Sequence, residues 1–238
     1  MIKLRMFFSP HFLIKYYLLK DIIDVIQKYK FKGSVVDIGC GQKPYKKLFR
    51  YSGSYQGIDF KDYSKNTSFY GTRPDYFFDK KYSETSILPF NSDSFNHTVS
   101  FQVLEHHKNP QKLIEEIIRI TKKGGLVLLS MPLIWGLHEK PNDYFRFTEY
   151  GIKELIKKYD CKILYLKRQG SIFSTISILL NDYWVQKMEE GKIFFYFAIL
   201  FYPFSLLFSY SCLFLDKIFP SKEIFLNYLI LLKKSSNL

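Results

Sequence analysis

Apolar residues fall at helical spacing between residues 11 and 30. Phe12, Leu13, Tyr16, Leu19, Ile22, Ile23, Ile26 and Tyr29 form a stripe, and Lys15, Lys20, Asp24 and Lys28 lie off it. The pattern predicts an amphipathic helix packed against the rest of the chain. Charges at Lys15, Lys20 and Asp21 interrupt the apolar core a leader peptide would need. Beyond it the period changes. Short apolar runs predict strands near residues 34–38, 54–59, 75–79, 97–102, 125–131 and 161–168. Helices are predicted near 43–50 and 110–121, with a third running from an N-cap at Thr148 through Lys158. Alternating strands and helices predict a parallel, doubly wound α/β sheet with its ligand crevice at the strand C-termini.

The first strand breaks into Asp37-Ile38-Gly39-Cys40-Gly41, and an acidic residue, Asp59, closes the second. Closely spaced glycines let backbone N–H groups approach a ligand, and a following helix would add its positive dipole end. A carboxylate at the end of the second strand is placed to accept from ribose hydroxyls. Together these features predict a cofactor carrying a nucleoside. A dinucleotide loop needs a third glycine where Pro44 stands.

Several further segments carry a family likeness. Leu88-Pro89-Phe90-Asn91-Ser92-Asp93-Ser94-Phe95 precedes the fourth strand and Val103-Leu104-Glu105-His106 follows it. Gly124-Gly125 opens the fifth strand. With the D-I-G-C-G loop, these resemble the ordered motifs of class I S-adenosylmethionine-dependent methyltransferases of the type 11 kind, over roughly residues 30 to 170. The resemblance implies a Rossmann-like seven-stranded sheet whose antiparallel last strand lies within Glu223–Leu232. It also implies S-adenosyl-L-methionine as cofactor, held by the backbone of Gly39 and Gly41, with Asp37 ordering the loop and Asp59 on the ribose. Gln102 would lie beside the methionine portion. An acidic residue near the adenine is Asp79 by strand position or Glu84 by spacing. Lys43 stands where the family has its usual third glycine, and Asn96 where it commonly has aspartate; both leave cofactor affinity open.

On the acceptor side the motif places His106 at the crevice mouth as candidate base. His138, Glu139 and the segment Asn142–Thr148 resemble the H-E-x-P-x-D-Y-x-R-(F/Y)-T stretch of a subset associated with surface-polysaccharide biosynthesis. There Asp143 is a candidate base or sugar ligand, and Tyr144 a stacking platform. Arg146 would grip a phosphate or carboxylate, or pair internally with Asp143. His138 completes the candidate substrate-binding set.

Composition adds three constraints. Cys40, Cys161 and Cys212 stand far apart, which fits a reducing cytoplasm, and His106-His107 are adjacent and diverge, so no metal is expected. The formal charge of +13 is spread along the chain with no RNA-binding module beside it. That argues against a nucleic-acid partner and leaves a solvated basic surface or attraction to anionic headgroups at the inner membrane face. Ile193–Leu215 is a 23-residue run without charge, long enough to span a bilayer. A single span would part the last strand from its sheet, so the run is expected as a lid over the site or a hairpin in one leaflet, with Ser171–Asn181 as its partner.

The organisation expected is an N-terminal helix (1–32), a cofactor-binding core (33–169), an apolar helical insert (170–220) and a closing strand (221–238). The function expected is methyl transfer to a small-molecule acceptor, a hydroxyl of a sugar or lipid-linked envelope intermediate. RNA methylation, and a non-catalytic cofactor-binding role in a membrane-associated complex, are the alternatives.

Overall fold

The computed structural model describes residues 8–60, 72–78 and 85–236. Its sheet has seven strands: β1 Ser34–Ile38, β2 Ser54–Phe60, β3 Tyr76–Phe78, β4 Phe95–Phe101, β5 Thr121–Pro132, β6 Cys161–Gln169 and β7 Asn227–Lys234. They lie in the order β3-β2-β1-β4-β5-β7-β6. β1 to β5 pair in parallel, and β7 runs antiparallel between β5 and β6. This is the doubly wound sheet the alternating pattern predicts.

Successive strand residues point to opposite faces, and here both faces are apolar. Val36, Val127, Leu129 and Ile230 enter the core beneath α2 (Pro110–Ile120) and α3 (Glu149–Lys157). Val35, Leu126, Leu128 and Leu229 enter the other core, beneath α1 (Phe12–Tyr29). Helix starts are set by local chemistry. The Asn109 side chain accepts from the Lys112 N–H at 3.1 Å with Pro110 opening α2, and Thr148 accepts from the Gly151 N–H at 3.1 Å at the head of α3. In α2, Glu116 accepts from the Leu88 N–H at 2.8 Å, while Arg119 donates to the Leu88 and Phe90 carbonyls. The Leu88–Phe95 motif is thus a clamped edge rather than a source of catalytic groups.

The helix expected at 43–50 is instead a single 3₁₀ turn, Lys46–Phe49. Lys43 sits in the left-handed region at φ 53°, and the following bonds run three residues back, Lys46 N–H to Lys43 and Leu48 N–H to Tyr45. With no α-helix behind the glycines, the loop offers N–H groups without a macrodipole. β5 starts earlier than expected because Thr121 pairs with Phe95 across a bulge. Gly125 is needed there, since a Cβ would meet the Asn96 carbonyl oxygen at 2.4 Å.

The 170–220 insert is a helical hairpin, α4 (Ile172–Glu190) and α5 (Lys192–Ile218), which contains Pro203. Its interior mixes polar and apolar groups, with Ile178, Leu206 and Leu213 packed against Phe12 and Leu13 of α1. Between the helices, Ser177 and Ser209 hydroxyls lie 2.7 Å apart, and Asn181 bonds Ser205, Ser209 and the Pro10 carbonyl. Asp216 of α5 accepts from the Phe173 and Ser174 N–H groups and caps α4 across the hairpin. Leu200, Phe204, Leu207 and Phe214 face outward, each more than 60% exposed. Among the described residues no helix is long and apolar enough to cross a membrane.

Candidate active site

The crevice lies where β1, β2 and β4 end. Gly39 has φ 70°, and a Cβ would meet Val103 Cγ2 at 2.4 Å, so only glycine lets the loop pass beneath Val103. Gly41 has φ 50° and nothing within 4 Å of a Cβ, leaving room above its backbone. The Asp59 carboxylate accepts from the Gly41 N–H at 2.5 Å and the Phe60 N–H at 2.6 Å. Burial pushes its carboxyl up, these two bonds oppose that, and the charge of Glu139 adds to the rise. Gln102 takes φ 57° at the end of β4, with its side-chain amide donating to Ser130 Oγ at 3.1 Å and its Oε1 buried without a partner. A non-glycine residue in that region marks strain held at a site.

The two departures from the family pattern have separate accounts. Lys43 is buried, crosses Gly57 and reaches Asp75 at 2.9 Å, so its cation is spent on the strand scaffold. Asn96 accepts from the N–H and hydroxyl of Ser34, both at 3.0 Å, at the opposite end of β1 from the crevice. Asp79 and Glu84, the candidate adenine-side acids, lie outside the described residues.

Asp37 is fully enclosed. Tyr55 donates to its Oδ2, and Oδ1 has no partner. Burial pushes the carboxyl up to about 7, with the Tyr55 bond opposing. A raised carboxyl favours the folded protein fully below the unfolded value near 4, and the contribution is lost as pH rises to about 7. Asp37→Asn is therefore expected to melt with the parent at pH 4 and on the order of 5 °C higher at pH 8, by calorimetry at both pH values. Equal shifts at both would place the effect elsewhere.

On the acceptor side, Leu104–His106 forms a 3₁₀ turn after β4. The Glu105 carbonyl accepts from the Tyr144 and Phe145 N–H groups at 2.9 and 3.2 Å, joining this turn to the loop after β5. His106 donates from Nδ1 to the Asn142 carbonyl at 2.7 Å, which leaves its lone pair on Nε2. That nitrogen lies 3.8 Å from Glu105 Oε1 and 3.9 Å from Glu139 Oε2. The His138 ring stacks on Trp135 and meets His106 edge to face, with ring centroids 4.7 and 4.8 Å apart. The Tyr144 ring is half exposed on the same loop, its hydroxyl donating to Asn142 at 2.9 Å.

Asp143 and Arg146 form the internal pair that the sequence allowed as one alternative. Arg146 binds both Asp143 oxygens, at 2.6 and 2.8 Å, and also donates to the Trp135, Gly136 and Phe145 carbonyls. Burial would raise Asp143, but the Arg146 pair and the His138 N–H outweigh it and hold the carboxyl near about 2. So acidic a group takes no proton near neutrality. This is the internal pair, and it rigidifies the loop. Spacing did not reveal Glu105, which is buried with neither carboxylate oxygen hydrogen-bonded and pushed up by burial to about 8. Only its place before His106 in the motif marked it.

A doubly wound, mainly parallel sheet with a glycine loop at β1, an acid at the end of β2 and polar groups after β4 and β5 is the arrangement of a domain that binds a nucleoside cofactor. A family model described as a methyltransferase domain matches residues 11–165. The chain belongs to the methyltransferase-domain family, and its cofactor is S-adenosyl-L-methionine. An uncharacterised protein of Methanocaldococcus jannaschii, MJ1123, is 27% identical over 113 residues, 47% of this chain and 51% of that protein. The match thus spans about half the length of that curated relative.

Solved structures share the fold. The YcgJ protein of Bacillus subtilis matches with a TM-score of 0.56 at 14% identity, over 92% of this chain and 98% of that one. The [4+2]-cyclase SpnF matches at 0.55 and 15% identity, over 91% and 81%. The Haemonchus contortus phosphoethanolamine N-methyltransferase 2, solved with S-adenosylhomocysteine, matches at 0.51 and 16%, over 92% and 53%.

The residues fit the cofactor. Its ammonium and sulfonium are cations, and the strand ends hold two buried oxygens without hydrogen-bond partners, Asp37 Oδ1 and Gln102 Oε1, behind the Asp59 carboxylate and an open space at Gly41.

Proposed function

We propose that the protein transfers a methyl group from S-adenosylmethionine to a hydroxyl of a lipid-linked or sugar-containing envelope intermediate, working from a membrane surface. The observation that carries this reading is the continuity between the acceptor loop and a hairpin that exposes an apolar face. Asp182 of α4 accepts from the Gly136 N–H at 3.2 Å and contacts His11 at 2.6 Å, while Gly136 also accepts from Arg146 and from His138. An acceptor whose apolar tail lies in the bilayer would present its polar head to this loop.

The cofactor supplies an electrophilic methyl on a sulfonium. In this reading Asp59 and the Gly39–Gly41 backbone hold its nucleoside end, Asp37 and Gln102 face its charged end, and Tyr144 and His138 line the acceptor approach. His106 Nε2 takes the hydroxyl proton. Holding the reactants in line is the larger part of the work, about 7–11 kcal/mol in well-oriented systems, and proton removal adds to it. Residues 33–169 with 221–238 act as the catalytic core and 170–220 as the membrane-facing element.

Outward aromatics on α4 and α5 and lysines at the hairpin ends (Lys187, Lys217, Lys222) suit an anionic interface. The protein is expected to float with phosphatidylglycerol vesicles. Phe204→Glu with Leu207→Glu should lower the bound fraction at least tenfold with an unchanged melting temperature, since burying each side chain contributes roughly 1.5–3 kcal/mol. Transfer from methyl-labelled cofactor to membranes should place label in the organic-soluble lipid fraction. Label found only in RNA, or a protein indifferent to vesicles, would contradict the reading.

A further inference from the structure

The ends of β4 and β5 bring together three metal-ligating side chains that lie far apart in the sequence. A carboxylate oxygen of Glu105 and a ring nitrogen each of His106 and His138 all lie within 4.8 Å of one another. Both rings are fixed from behind. The Asn142 carbonyl accepts from His106 Nδ1 at 2.7 Å, and the Gly136 carbonyl from His138 Nδ1 at 3.0 Å. A backbone carbonyl on one ring nitrogen is the outer partner that metal-bound histidines ordinarily carry, and it leaves the lone pair on the other.

Glu105 is the second, independent sign. It is fully buried, and neither carboxylate oxygen has a hydrogen-bond partner. A carboxylate so placed is costly unless something binds it. Arg146, whose charge acts on it, gives its hydrogen bonds to Asp143 and to backbone carbonyls instead. Glu139 adds an oxygen 3.9 Å from His106 Nε2, on the solvent side where an ion would enter.

We propose that Glu105, His106 and His138 form a binding site for a divalent transition-metal ion of the zinc type. Two imidazoles with a carboxylate suit Zn²⁺, Co²⁺ or Ni²⁺, whereas Mg²⁺ and Ca²⁺ favour oxygen ligands throughout. Bonds of about 2.1 Å place tetrahedral ligand atoms about 3.4 Å apart. The Glu105–His106 separation of 3.8 Å is already close to that spacing, and side-chain rotation brings in the third ligand. Glu139 or water takes the fourth position. The ion would occupy the lone pair that metal-free His106 offers to the acceptor proton, so zinc is expected to suppress methyl transfer. That consequence rests on the function proposed above; the site itself does not.

The test is titration of the chelator-treated full-length protein with Co²⁺, followed by visible absorption, and with Zn²⁺ by calorimetry. The expected result is one ion per chain, with d–d bands lacking thiolate charge transfer. His106→Ala and His138→Ala should each weaken binding at least tenfold, and Glu105→Gln should weaken it while keeping the side-chain shape. S-adenosylhomocysteine affinity and melting temperature serve as controls for the fold. Failure of wild type to bind either ion, or binding undiminished in both histidine variants, overturns the site. Intact homocysteine-cofactor binding without metal binding overturns this proposal alone, while loss of cofactor binding strikes the proposed function.

Discussion

Arg146→Ala is expected to lower folding stability by about 3 kcal/mol in urea denaturation, the low end for breaking a buried pair because the guanidinium is partly exposed. The substitution leaves the Asp143 carboxylate, 2% exposed, with only the His138 N–H, and it frees the Trp135 and Gly136 carbonyls. The sign with pH follows from the depressed carboxyl. Asp143 contributes stability above its unfolded value near 4, and that contribution is lost as pH falls towards about 2. In Arg146→Ala this acid-side loss should shrink, since only His138 then opposes burial. Adding Asp143→Asn should recover part of the deficit, since no buried charge then remains. A variant within 0.5 kcal/mol of wild type, on the scale of an ordinary surface change, would show that the pair does not hold the loop.

Asp59→Ala should weaken S-adenosylhomocysteine binding by roughly 1.5–3 kcal/mol, about 10- to 150-fold, the scale of a hydrogen bond to a charged group. Asp59 also ties the Gly41 N–H, so part of that loss could come from a looser loop. Asp59→Asn separates the two effects. It retains one acceptor for the loop but loses the charge, and should fall between wild type and alanine. Affinity unchanged in both variants would remove Asp59 from the cofactor site.

The strands were legible because both faces of the sheet are apolar, so β1, β5 and β7 read as continuous runs whose order the motifs supplied. The place of Asp59 at the end of β2 was legible, since a strand end fixes where a side chain must stand. The 43–50 segment was misread because its apolar spacing is helical, while the left-handed Lys43 and the nearness of Ser54 leave space for one turn only. For Asp143 the sequence left a base, a sugar ligand and an internal pair with Arg146 open, because it shows residue type but not the distance to the guanidinium across the turn. The Glu105–His106–His138 cluster was invisible for a related reason: adjacent histidines diverge, and His106 meets instead a ring 32 residues later, through a loop closure no local pattern encodes. The hairpin was half legible. Its uncharged run showed apolarity, but the serines lining its interior, which turn the aromatics outward, needed the helix phase relative to α1.

The most direct test of the central claim, a methyltransferase whose cofactor binds at the ends of β1, β2 and β4, is calorimetric titration of the purified full-length protein with S-adenosylhomocysteine. One micromolar site per chain, weakened by Asp59→Ala, is the predicted result. A folded protein that takes up no S-adenosylhomocysteine, with or without anionic vesicles present, would contradict it.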